Sequence, residues 1–169
     1  MPEPTTITAT IQLYQLYGLW IQAGAIAASG IGVIITVLVN RAVARRRATI
    51  DLMLMEETNT GMMETRQKFI NLREKGNLVQ FAAKEYLASD ETVIIRNILN
   101  RYELIAIGCC KHTIDRNIYW DWYRTTLVND WIALKAFVHE YQRQQNPKLF
   151  CKFEALARQW ATADERKHT

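Results

Sequence analysis

Proline and glycine are scarce in this sequence. Of its 169 residues, three are proline and seven are glycine, and no proline occurs between Pro4 and Pro147. Because proline breaks helices and glycine weakens them, such a chain favours long helices. No alternation of apolar and polar residues persists beyond a few positions, which disfavours strands. The sequence therefore predicts an all-α protein.

Charge is also missing from a long N-terminal stretch, since no charged residue occurs between Glu3 and Arg41. About 20 apolar residues suffice for a helix to cross the hydrocarbon layer of a membrane. Tyr17 and Trp20 lie near the start of the run, where interfacial aromatic residues are common. We therefore predict a single transmembrane helix over residues 16–40.

Two other structures would produce a similar run. A secretory signal peptide begins with positive charge, whereas this chain begins with MPEP and its apolar run is longer. A buried helix of a soluble protein rarely continues this far without a charge. The anchor is the interpretation we adopt, and residues 1–15 are then a short extracytoplasmic N-terminus.

Four arginines close the apolar run within a basic juxtamembrane segment, residues 41–47: Arg41, Arg45, Arg46 and Arg47. Basic residues flanking a membrane helix stay on the cytoplasmic side. We therefore predict a cytosolic domain over residues 48–162 and a frayed tail over residues 163–169. The arginines also predict contact with anionic lipid headgroups, while a specific lipid or nucleotide site is the alternative.

Small residues recur along one face of the predicted anchor. Gly24, Ala28 and Gly32 are spaced by four, and such faces let membrane helices approach closely. The spacing predicts a homo-oligomer formed through the anchor. The alternative is that glycine and alanine are simply common in membrane helices.

The chain has few cysteines, and beyond residue 47 it has little excess of positive charge. Cys109, Cys110 and Cys151 are an odd set with no disulfide framework, which suits a reducing compartment. Residues 48–169 contain 17 basic and 16 acidic residues, so this part is nearly neutral. General nucleic-acid binding requires a basic surface and is not expected.

The rest of the chain carries helical signals, and we expect about five helices in a compact bundle. The membrane helix should continue past Arg47, and the next should stop at Gly76. Asn77 should open a short helix, and Ser89 should cap a longer one. Thr113 should cap the longest helix, which runs to about residue 145, and Asn146 with Pro147 should open the last. Two of these helices show apolar spacing of three or four: Ile94, Ile98, Tyr102, Ile105 and Cys109 in one, and Trp120, Tyr123, Leu127, Trp131, Leu134, Val138 and Tyr141 in the other.

Three segments resemble a bacterial family catalogued as domain of unknown function 4760: RNILNRYELIAIGCC, IYWDWYRTTLVNDWIALKAFV and NPKLFCKFEALARQW. The positions that carry the resemblance are Asn100, Tyr102, Glu103, Gly108, Trp131 and Trp160. The resemblance implies an N-terminal membrane helix followed by a small all-helical cytosolic domain, and therefore a bacterial inner (plasma) membrane location. It implies no activity.

Two groups of polar residues are candidate sites. The turn containing Lys111, His112, Thr113 and Arg116 combines cations with a helix N-terminus, which favours an anionic ligand, although a solvated turn is the alternative. Asn100, Tyr102, Glu103 and Arg124 form the predicted structural polar network, with Arg124 or Arg101 pairing Glu103. A ligand-binding role for Glu103 is the alternative.

No sequence signature of catalysis or metal binding is present. The adjacent Cys109 and Cys110 point about 100° apart on a helix, so they cannot easily share one metal ion. We expect two buried thiols beside a surface His112, no metal, no cofactor and no enzymatic activity.

Three functions remain open at this stage. The first is a non-enzymatic, oligomeric, single-pass membrane protein whose cytosolic domain binds an unknown protein partner or a small anionic ligand. The second is a membrane effector of a bacterial antiphage or stress system, which a signal such as a cyclic nucleotide activates to permeabilise the membrane. The third is an enzyme with an unrecognised site.

Overall fold

The structure is a computed structural model that describes the backbone of residues 4–168 and the side chains of residues 17–168. The helices in this part of the chain are α1 (Pro4–Thr58), α2 (Thr60–Lys75), α3 (Asp90–Cys110), α4 (Arg116–Gln144) and α5 (Cys151–Trp160). Short 3₁₀ helices cover Leu78–Ala82, Lys84–Tyr86 and Glu165–Lys167. The described residues include no strand, so the predicted all-α class is confirmed. The predicted extracytoplasmic side chains of residues 1–15 lie outside the described ones.

Helix α1 continues past Arg47 to Thr58, as predicted. The chain divides into two compact units, Met1–Ala44 and Arg45–Thr169. In the first unit the described side chains of α1 are exposed almost throughout. The second unit contains the rest of α1 together with α2 to α5.

The core of the second unit lies among α3, α4 and α5. Helix α5 packs against both α3 and α4, the 3₁₀ helix Leu78–Ala82 packs against α4, and α2 packs against α3. The largest fully buried side chains are aromatic or branched aliphatic: Trp131, Tyr119, Phe69, Phe137, Phe153, Ile95 and Leu99. Four full helices and the end of α1 match the predicted bundle of about five.

Local signals explain several helix ends. The Ser89 side chain accepts a hydrogen bond from the backbone N–H of Thr92, as expected of the α3 N-cap. Gly76 ends α2 with φ 75°, a left-handed backbone that glycine adopts without a steric penalty. Both ends are confirmed predictions.

Three predicted helix starts are wrong. Asp115, rather than Thr113, caps α4, and its side chain accepts a hydrogen bond from the backbone N–H of Asn117. Thr113 and the residue after it still belong to the turn that precedes the helix. The Asn146 side chain instead accepts from the N–H of Lys148 within a turn, and α5 begins only at Cys151. Residue Asn77 has a left-handed backbone and no capping bond, so two 3₁₀ helices follow it in place of one α-helix.

Burial differs from the sequence pattern at two positions. Trp120 is 43% exposed, while the neighbouring Tyr119 is buried and takes the core position in the first turns of α4. Cys110 is exposed, because it lies about 100° around α3 from the buried Cys109.

Candidate functional site

The apolar part of α1 has a long exposed surface. A helical stretch from Tyr17 to Thr58 contains an 18-residue window with mean hydropathy 2.0, and none of that window is buried within the protein. It is the one helix among the described residues that is long and apolar enough to cross a membrane. The hydroxyls of Ser29 and Thr36 donate to the carbonyls of Ala25 and Gly32 at 2.8 Å, so these polar groups are satisfied within the helix.

The predicted oligomerisation face is open. Gly24, Ala28 and Gly32 are exposed, and a Cβ added at either glycine would meet no atom within 4 Å. Another helix backbone could therefore approach this face closely. Self-association itself stays a prediction.

Three of the four juxtamembrane arginines have carboxylate neighbours. Arg45 and Arg46 lie 3.7 and 3.6 Å from Asp115, and Arg47 lies 3.9 Å from Asp51. These separations exceed hydrogen-bond lengths, and partly exposed pairs of this kind contribute little stability. The guanidinium groups therefore keep donors for other acceptors. Arg41 is exposed in the first unit.

A buried threonine joins α1 to the start of α4. Thr49 is 0% exposed; its hydroxyl donates to the Arg45 carbonyl at 2.8 Å and accepts from the backbone N–H of Asp115 at 2.7 Å. The same Asp115 provides the N-cap carboxylate of α4. Thr49 thus fixes where α4 begins against α1.

The predicted anion-binding turn is placed only partly as expected. Lys111, His112 and Thr113 are exposed, and the Thr113 hydroxyl donates to the Gly108 carbonyl at 3.2 Å. His112 and Arg116 line a cavity of about 220 Å³ together with Arg45, Ile114, Asp115 and Asn117, whereas Lys111 and Thr113 do not. The Asp115 carboxylate already occupies the helix N-terminus. Anion binding at this turn therefore depends on the cations around it.

The predicted polar network is not one network. The Glu103 carboxylate accepts from the backbone N–H groups of Lys152 and Phe153 at 3.2 and 2.7 Å, at the first turn of α5. It pairs with neither Arg101 nor Arg124, and that pairing prediction is wrong because the N-terminus of α5 supplies the partner for the charge.

Each of the other predicted members makes separate contacts. The Arg124 guanidinium donates to the Trp160 carbonyl at 3.0 Å and pairs with Glu165. Asn100 is exposed and joins none of the hydrogen bonds between these described residues. Tyr102 belongs to a different cluster.

That cluster surrounds Asp130, which sequence reasoning missed. Asp130 is 0% exposed on α4, and its carboxylate accepts from the Tyr102 hydroxyl at 2.6 Å, from Arg73 at 2.5 Å and from Arg66. Burial, followed by the Asp130 charge, raises the pKa of Tyr102 above its ordinary value. The sequence did contain a signal for this cluster. Asp130 lies three residues after Leu127 on the apolar face of α4, where a carboxylate requires hydrogen-bond or charged partners.

A second buried ion pair holds the end of α1 to α3. Arg101 contacts both oxygens of Glu56, with Nε at 2.6 Å from one and Nη2 at 2.5 Å from the other. Glu56 is buried, and burial alone would lower the pKa of Arg101, but the Glu56 carboxylate raises it above its ordinary value. Two-point pairing of this kind fixes geometry as well as charge.

Several cavities open on the second unit. One of about 270 Å³ lies at the start of α2, lined by Asn59, Gly61, Met62, Thr65, Asn97, Ile98 and Arg101. One of about 200 Å³ is apolar except for Glu57, with Ile50, Met53, Leu54 and Trp122 around it. The apolar lining of this second cavity is typical of a surface that contacts another protein rather than of a site that binds a polar ligand.

The one buried thiol among the described residues, Cys109, is a poor nucleophile. Burial raises the pKa of the Cys109 thiol to about 11, so it stays protonated near neutral pH. Cys110 and Cys151 are exposed.

Comparison with known proteins yields one match. No curated protein and no solved structure matches the chain. A family described as domain of unknown function (DUF4760) matches residues 5–160, which is most of the chain. The match spans the apolar helix as well as α2 to α5, and it includes the positions from Asn100 to Trp160 that carry the resemblance. The protein therefore belongs to the DUF4760 family.

Proposed function

We propose that the protein is a single-pass, self-associating membrane protein whose helical domain is a non-enzymatic binding module. The observation that carries the proposal is the apolar window in α1, none of which is buried within the protein. A core helix of a soluble protein would bury this surface, because exposing it to water is unfavourable. A bilayer removes it from water without any further protein contact.

The domain on the other side of Arg41 is proposed to lie in the cytoplasm. The positive-inside bias places the arginines there, and free thiols suit a reducing compartment. Cys110 and Cys151 are exposed, so they report the orientation directly. In intact cells a membrane-impermeant maleimide should leave both unlabelled, and it should label both once the membrane is opened. Labelling in intact cells would overturn the orientation, and extraction of the chain by alkaline carbonate would overturn the anchor.

Self-association is proposed to use the face of Gly24, Ala28 and Gly32. Replacing Gly24 and Gly32 together by leucine adds bulk where backbones must approach, and should abolish crosslinked oligomers in membranes. Ile26→Leu with Val33→Leu is the matched control, since both side chains lie on the opposite face and both are exposed. Oligomers that persist in the glycine variant, or that are lost equally in the control, would refute this assignment.

The domain is proposed to bind rather than to catalyse. Its two most deeply buried carboxylates, Glu56 and Asp130, are both engaged by arginines, and the third, Asp115, caps α4, so all three are structural in this arrangement. Ile50, Leu54 and Trp122 are large, exposed and grouped around one apolar cavity, which supports a protein partner at this place. Replacing all three by serine should abolish partner binding without lowering the amount of folded protein.

A further inference from the structure

The turn between α3 and α4, residues 111–115, is tied to the part of α1 that follows the apolar stretch. Asp115 lies within 3.7 Å of both Arg45 and Arg46, and its N–H bonds to Thr49. Arg45 is five residues after the end of the predicted span at residue 40, so the chain alone keeps it within about 18 Å of that end.

The direction of α4 decides which way the turn faces. Asp115 meets α1 at Arg45 to Thr49, and Trp122, two turns later, meets it at Ile50 to Glu57. The beginning of α4 thus runs alongside α1 in the same direction. The Arg101–Glu56 pair, together with the end of α3 at Cys110 beside this turn, shows that α3 runs the opposite way. Within the second unit, the turn therefore lies at the end where its segment of α1 begins, at Arg45.

Basic side chains predominate at that end. Lys111 and His112 are exposed on the turn, and Arg116 follows them at the start of α4. With Arg45, Arg46 and Arg47 they make a group that we call the basic rim, which contains two carboxylates, Asp51 and Asp115.

One cavity lies within the basic rim. It measures about 220 Å³ and is lined by Arg45, His112 and Arg116 among others. The Arg45 side chain is 37% exposed, and its guanidinium lies 3.7 Å from Asp115, beyond hydrogen-bond length, so it keeps donors for a headgroup phosphate oxygen.

We propose that the basic rim, including Lys111, His112 and Arg116, docks the domain on anionic phospholipid headgroups. This proposal rests on the proposed membrane anchor and adds a second contact with the bilayer, about 70 residues further along the chain than the anchor. Each cation near an anionic membrane surface shifts the docking equilibrium about fivefold. Removing Lys111 and Arg116 together should therefore lower the ratio of docked to undocked domain about 25-fold.

The native cysteines allow a direct test with the full chain in lipid nanodiscs. Cys151→Ser leaves Cys110 as the exposed thiol beside the turn, and Cys110→Ser leaves Cys151 as the exposed thiol at the start of α5. A fluorophore on either position is quenched by headgroup-spin-labelled phosphatidylcholine. We expect the Cys110 probe to be strongly quenched when phosphatidylglycerol is present and weakly in phosphatidylcholine alone. The Cys151 probe should be quenched less in both, since its neighbour Lys152 bonds to Glu103, which lies seven residues before Cys110 and so about 10 Å further along α3 from the turn.

Paired variants identify the source of any quenching. Lys111→Gln with Arg116→Gln should abolish the response to phosphatidylglycerol, while Lys148→Gln with Lys152→Gln removes the same charge beside Cys151 and should leave it unchanged. Quenching of Cys110 that ignores both lipid charge and the first variant would mean that the anchor alone sets the distance, and would overturn the proposal. Suppression of the quenching by inorganic phosphate with no dependence on phosphatidylglycerol would reassign the rim to a soluble anion. A chain that does not enter the nanodiscs refutes the anchor instead.

Discussion

Replacing Asp130 by asparagine tests the charged cluster inside the helical domain. The side chain keeps its size but loses its charge, while Arg66 and Arg73 remain beside it. Breaking a buried ion pair by removing one partner costs about 3–5 kcal/mol. Arg66 and Arg73 are 17% and 32% exposed, so both guanidinium groups reach water and the loss belongs at the lower end of that range. We expect Asp130→Asn to lower the free energy of unfolding by about 3 kcal/mol.

Urea unfolding of the full chain in detergent micelles, followed by tryptophan fluorescence, measures this loss. Arg73→Met is the matched control, because its partly exposed pair should contribute about 1 kcal/mol or less. In the double variant Asp130→Asn with Arg66→Met, Arg73 alone keeps an unpaired charge, so the combined loss should be smaller than the two single losses added together. A loss below about 1 kcal/mol for Asp130→Asn would show that water compensates the charges of Arg66 and Arg73 once the carboxylate is gone, and the reasoning would fail.

Four further results are expected. Glu103→Ala should lower stability by about 1 kcal/mol by uncapping α5, and Glu103→Gln should recover part of it; equal losses would contradict capping. Thr49→Val should cost about 1–2 kcal/mol because the N–H of Asp115 loses its acceptor, and Thr49→Ser should restore stability, in the same urea assay. The folded-state pKa of Cys109 is raised from 9.0 to about 11, so its contribution to stability is complete below pH 9 and is lost as pH rises to about 11; Cys109→Ala should flatten that part of the stability profile. For the effector hypothesis, expression should arrest growth and collapse the membrane potential when candidate cyclic nucleotides are supplied, and normal growth under every condition would count against it.

Local sequence signals predicted the fold class and most helices, because helix period, Ser89 and Gly76 act within a few residues. They failed where a distant contact decides the outcome. Thr113 is a good capping residue by type, yet Asp115 caps α4, since Thr49, 66 residues away, accepts the hydrogen bond from the Asp115 N–H. Similarly, Glu103 finds the start of α5 about 50 residues later in the chain rather than a nearby arginine.

The candidate site depended even more on distant contacts. The basic residues of 41–47 were evident in the sequence, and so was the charged turn after Cys110. Their proximity was not, because only the folding of α4 against α1 brings Asp115 to Arg45 and Arg46. Spacing along one helix carries no information about such pairs.

Helix α2 differs from the other helices in how it is held. Phe69 is the one buried side chain among its described residues; Leu72 packs on the core half-buried, and Arg66 and Arg73 pair with Asp130. A helix with so little buried hydrocarbon, attached in part by ion pairs, can separate from the rest of the domain. In native-state hydrogen exchange, the amides of α2 should therefore open at lower free energy than those of α3 or α4. Asn59 and Gly76, at its two ends, are the natural hinges of that opening, so high salt should accelerate exchange in α2 selectively.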